Sequence, residues 1–244
     1  MTGGGAPGPE AGSSDDTGGF PHARLRAALD QELTPRRAEA RRLGEAMRLV
    51  IERLVATTAP VEALGRAAEE LEAIAEELAG YPYGRLYEGF AESANAGDPH
   101  AFFDHSPILG RANPIAPPIE VEVEGEGVLG RVRYGSAYEG PPGCVHGGHL
   151  AAAFDEVLGV AQSITGNPGM TGTLTVRYRS PTPLHRDLRF TGRVDRVEGR
   201  KIFTIGECHD GGTLTAEAEA VFISVDFSRI VQLREERTRQ DATG

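Results

Sequence analysis

Cysteine is scarce in this 244-residue chain, lysine scarcer still, and no stretch is apolar enough to cross a bilayer. Two cysteines, Cys144 and Cys208, cannot build a disulfide framework and lack the paired spacing of a structural zinc site, which points to a reducing compartment. The only lysine is Lys201, and acids outnumber bases to a formal charge of −11. Proteins that work by neutralising nucleic-acid phosphates draw on surplus Lys and Arg, so that class is excluded. With no run of about 18 apolar residues and no charged, apolar leader in the first twenty, the expectation is a cytoplasmic protein without a membrane span. Apolar residues make up 39% of the chain, enough for a genuine core.

Residues 1–19 are Gly, Pro, Ser and acid with almost nothing to bury, and they read as a disordered tail. Residues 20–80 carry helical periodicity. Leu43, Met47, Val50, Ile51, Leu54 and Val55 recur at i, i+3, i+4 spacing, and Val61, Leu64, Ala68, Leu71, Ile74, Ala75 and Leu78 repeat it after Thr57-Thr58-Ala59-Pro60. The spacing predicts a helical hairpin or arm, whose stripes need a covering surface: the following domain, a second subunit or another protein. Residues 81–118 are dense in Pro and Gly and form a connector. From Ile119 the period becomes two, giving two strands, then a helix over roughly 147–165, then strands near 170–179, 186–197, 201–208 and 214–226. One helix bracketed by strands cannot make an alternating parallel sheet. The economical solution is α+β, an antiparallel sheet wrapped around that helix over 119–228, with a polar tail at 229–244.

Within the helix Leu150, Ala153, Phe154, Val157, Leu158, Ala161 and Ile164 form one apolar stripe, and Asp155 sits outside it, its helical neighbours Ala151, Ala152, Leu158 and Gly159 being mostly small. Spacing alone leaves open whether Asp155 faces water or works chemically. At the helix start, Gly147-Gly148 offers unpaired N–H groups suited to a developing oxyanion, or simply a flexible entry. His146 and Asp155 are separated by about 13 Å of rise and half a turn, so a site using both needs two subunits.

The run Gly143-Cys144-Val145-His146-Gly147-Gly148-His149-Leu150-Ala151-Ala152-Ala153-Phe154-Asp155 resembles the signature of PaaI-like hotdog-fold acyl-CoA thioesterases. Met170 to Pro181 and Val197 to Lys201 resemble that family's next strand and following hairpin. The resemblance implies a hotdog fold, a homodimer or dimer of dimers with interfacial active sites, and an acyl-CoA substrate in fatty acid metabolism with no metal or other cofactor. It implies that Asp155 is nucleophile or general base, that Gly148 donates to the thioester carbonyl, that His146 orients the loop, and that Thr171 positions the water or the acid. Arg200 and Lys201 fall where the family meets the CoA phosphates; Arg177, Thr173 and Cys144 are taken with them as substrate contacts. The stretch 170–201 holds eight Arg/Lys against three Asp/Glu, which suits a phosphate-bearing ligand. Arg177 and Arg179 also fit the solvated face of a strand.

Cys144, His146 and His149 lack a fourth metal ligand nearby, and Cys208-His209-Asp210 is too compressed for a nucleophilic triad. Glu156 is the second-choice carboxylate. Rival readings are a hotdog enoyl-CoA hydratase or dehydratase and a non-catalytic acyl-CoA-binding protein.

Overall fold

The computed structural model describes residues 33–81, 104–167 and 169–225. The expected tails at 1–19 and 229–244, the start of the arm and most of the connector lie outside the described residues. Two helices come first, α1 (Pro35–Ala56) and α2 (Val61–Ala79). The Thr34 hydroxyl caps α1 by accepting from the Arg37 N–H, and Pro35 opens the first turn, where a missing N–H costs nothing. Thr57 to Pro60 separate the two helices. The six strands are β1 (Glu120–Glu124), β2 (Gly127–Val132), β3 (Gly169–Tyr178), β4 (Leu188–Glu198), β5 (Lys201–Asp210) and β6 (Thr213–Ser224), and α3 (Gly147–Ser163) lies between β2 and β3.

The strands form one antiparallel sheet in the order β1-β2-β4-β5-β6-β3. Gly125 and Gly199 take positive φ at the tight β1–β2 and β4–β5 turns, which explains the glycines there. Crossing from β2 through α3 carries the chain to the opposite edge, so β3 returns beside β6 rather than β2. The apolar stripe read from the sequence is the face that meets the sheet. Leu150, Ala153, Phe154, Val157, Leu158 and Ala161 are buried, and Ile164 packs at the margin. Val157 and Leu158 rest over Gly192 and Gly206 and Phe154 meets Phe190 edge-on at 5.1 Å, so small residues on the sheet let the helix approach closely.

Helix α1 is fastened to the connector by charge. Asp104, with its side chain only 6% exposed, accepts from Arg37 Nε and Arg41 Nε, each at 2.7 Å. Arg48 donates to the carbonyls of Arg111 and Asn113, and Gly44 is buried so near the Arg111 carbonyl that an added Cβ would lie 2.7 Å from that oxygen. Farther along, Glu52 accepts from the Ser136 and Ala137 N–H groups at the short 3-10 turn Ser136–Tyr138. Burial works to raise the Glu52 pKa, but these hydrogen bonds and nearby His185 outweigh it and hold the pKa below its usual value. Helix α2 has no buried residue. No helix among the described residues is long and apolar enough to cross a membrane.

Candidate active site

The segment before α3 is held on both sides. The N–H groups of Val145 and His146 donate to the carbonyls of Thr182 and Tyr138, and the Glu139 carboxylate accepts from the Gly143 N–H at 2.6 Å. The helix start is therefore a fixed object. His146 is its N-cap, and His146 Nδ1 accepts from the Gly148 N–H at 3.0 Å, which requires that nitrogen to be unprotonated. The Gly147 N–H has no hydrogen-bond partner among the described residues. Of the two glycines read as carbonyl donors, Gly147 thus offers the open N–H, while Gly148 offers one already occupied by the ring that orients it. His149 packs edge-on against Tyr138 at 4.9 Å, and burial, then the neighbouring His146, holds its pKa below the usual histidine value. A neutral ring avoids a second positive charge at the positive end of the helix dipole.

Asp155 lies two turns along α3 and is half-buried. Its Oδ1 accepts from Thr171 Oγ1 at 2.7 Å, so these two sequence-selected residues meet within one chain. The contact depends on a bulge. Thr171 pairs with Phe222 and Thr173 with Val221, so Gly172 is an extra residue in β3. Without it, strict alternation would put Thr171 on the opposite face from Leu174, Val176 and Tyr178. With it, Thr171 reaches the helix.

The same alternation sends Thr173 and Arg177 to the other face. Arg177 pairs there with Glu219 at 2.6 Å and Arg179 with Glu217, so neither Thr173 nor Arg177 joins Asp155 or the glycines. Cys144 does lie at the helix start, where with Pro141, Gly147, Leu150, Tyr178 and Pro181 it lines a cavity of about 430 Å³. Arg200 donates from Nε and Nη2 to the Ser224 carbonyl, and Lys201 has no ion pair among the described residues. No cluster of metal-ligating side chains occurs among the described residues.

Two features escaped the sequence reading. Tyr178 donates its hydroxyl to the Gly147 carbonyl at 2.8 Å. Glu156 accepts from Ser106 Oγ under the connector, and burial pushes its pKa up to about 7 against the opposing hydrogen bond, with Asp155 adding to the rise. The strand phase at Tyr178 was the only signal for the first; nothing local announced the second, whose partner lies 50 residues away.

An antiparallel sheet wrapped around a single long helix defines a hotdog-fold protein, here with a glycine helix start and a hydroxyl-held carboxylate. The Thioesterase superfamily model matches residues 142–217. A crystal structure of a thioesterase superfamily protein aligns with a TM-score of 0.66 and 36% identity over 75% of this chain and 94% of its own. The chain belongs to the thioesterase superfamily. Among curated proteins, the acyl-coenzyme A thioesterase THEM4 of Xenopus laevis is 39% identical over 93 residues, 37% of this chain and 42% of that protein. The acyl-coenzyme A thioesterase THEM5 of Homo sapiens is 32% identical over 95 residues, 38% of each. The match therefore spans less than half the length of these curated relatives.

Proposed function

We propose that the protein hydrolyses acyl-CoA thioesters to a free acid and CoA, at sites shared between two copies of the chain. The observation that carries this reading is the Thr171–Asp155 hydrogen bond, which fixes one carboxylate oxygen and leaves Oδ2 for a water. Asp155 of one copy activates that water; the thioester carbonyl is polarised at the Gly147-Gly148 start of the other, directly by the open Gly147 N–H and by the Gly148 N–H once His146 yields it. Water adds to the carbonyl carbon, the tetrahedral intermediate collapses with cleavage of the C–S bond, and the thiolate leaves to be protonated as CoA. The sequence of steps calls on no metal or redox cofactor.

Within one chain the two halves are eight residues apart on α3, about 12 Å of rise, too far to serve one carbonyl. The sheet offers a means of joining copies. Its β1 edge is five residues long and carries Glu120, Glu122 and Glu124, which discourages pairing, whereas the β3 edge runs ten residues without an acid. Pairing of β3 with its own copy brings the helices side by side. Lys201 and the uncommitted Nη1 of Arg200 supply positive charge for the CoA phosphates, and the cavity at the helix start takes an apolar part of the ligand.

Free-thiol release from a panel of acyl-CoAs, acetyl through palmitoyl plus phenylacetyl, tests the reading. Asp155→Asn should lower kcat on the best substrate by at least about 100-fold. Undiminished hydrolysis in that variant, or hydration of an enoyl-CoA without thiol release, sinks it.

A further inference from the structure

We propose that Tyr178 is a positioning residue that aims the Gly147–Gly148 peptide at the thioester carbonyl; this rests on the thioesterase reading above. The peptide unit is planar, with its C=O and N–H pointing in opposite directions. Holding one end therefore fixes the other. The Tyr178 hydroxyl donates to the Gly147 oxygen at 2.8 Å, and the N–H of that same peptide belongs to Gly148, which donates to His146 Nδ1 at 3.0 Å. Two side chains grip this peptide, one at each end.

The two grips differ in what they can do. His146 occupies the N–H and must let go before that hydrogen reaches a ligand. Tyr178 occupies the oxygen and stays in place while the N–H is handed over. Donation to a peptide oxygen also polarises the amide and makes its N–H a stronger donor. Residue 147 is adapted to the contact: a Cβ there would lie 3.1 Å from the Tyr178 hydroxyl oxygen. Tyr178 is 55% exposed and lines the cavity at the helix start, so core packing does not account for it. Strand phase accounts for the direction, since Tyr178 shares the helix-facing side of β3 with Leu174 and Val176, which pack against the core.

The test uses Tyr178→Phe in the full chain, which keeps the ring and removes the hydroxyl. Steady-state thiol release should show kcat lowered about tenfold with KM unchanged within about twofold, a smaller loss than removal of an oxyanion donor itself. In an Asp155→Asn background, which preserves the bound thioester, the infrared stretch of a ¹³C-labelled thioester carbonyl should lie below its value in water, and Tyr178→Phe should move it back toward that value. A raised KM at unchanged kcat, or an unmoved stretch, would make Tyr178 a wall of the cavity and overturn the proposal. If Asp155→Asn is inactive while Tyr178→Phe keeps full kcat, this inference fails and the thioesterase reading stands. If Asp155→Asn is fully active, both fall.

Discussion

Adjacent carboxylates on α3 live in opposite circumstances. Asp155 is half-buried with a hydroxyl donor at 2.7 Å, while Glu156 is turned about 100° away under the connector with Ser106 as its partner. The Glu156 pKa is pushed up to about 7, so the folded chain takes up a proton that the unfolded chain, with its ordinary carboxylate, releases. The sign follows. Stability is greatest below the ordinary carboxylate range, declines as pH rises toward 7, and levels off above it. Glu156→Gln should therefore raise Tm at pH 8 by several degrees and leave it unchanged near pH 4, as differential scanning calorimetry at the two pH values would reveal. Equal shifts at both would show that Glu156 is no more protonated in the fold than outside it. The family signature is what sets Asp155 ahead of Glu156 in the sequence. The protonation contrast was not legible there, because it is made by a segment 50 residues upstream.

Elements differ in how far their surroundings could be read. Helix α3 was legible nearly to its ends because burial on one side enforces a 3.6-residue period, and the stripe from Leu150 to Ala161 is the buried face. Strand β3 was legible as a strand but not in phase, since the extra residue at Gly172 reverses which side chains face the helix: Thr171 gained a partner, and Thr173 and Arg177 went to the far side. The attachment of α1 was invisible for a different reason. It rests on Arg37 and Arg41 closing on Asp104 across 67 and 63 residues, and periodicity carries no information about such pairs. Asp104→Asn should cost about 1–3 kcal/mol of stability and raise amide exchange along α1, while Glu72→Gln on exposed α2 should change neither. Unaltered exchange in α1 after Asp104→Asn would mean that the Arg48 carbonyl contacts and the Glu52 hydrogen bonds to Ser136 and Ala137 hold the helix alone.

For the whole molecule, the proposed division of the site between two copies would make activity a property of the pair. Co-expression offers a direct measure. Gly147→Val, which places a side chain against the Tyr178 hydroxyl, and Asp155→Asn should each be inactive as homodimers. Random mixing makes half the dimers hybrid, each with one intact site of two, so the mixture should recover about a quarter of wild-type kcat. No recovery, with hybrids present by native mass spectrometry, would put both halves in a single chain. The distance between His146 and Asp155 is what leads the sequence toward a two-chain site; the edge proposed to join the copies is visible only in the strand order. Strand β3 has a further consequence for the history of such proteins. It grips α3 at its start, through Tyr178, and near its middle, through Thr171, and forms one of the two edges of the sheet. Substitutions between those two residues can accumulate, but their number cannot drift: one residue gained or lost turns a grip outward, and two slide it by about 7 Å. Lineages that keep the activity should vary the letters of this strand and never its length.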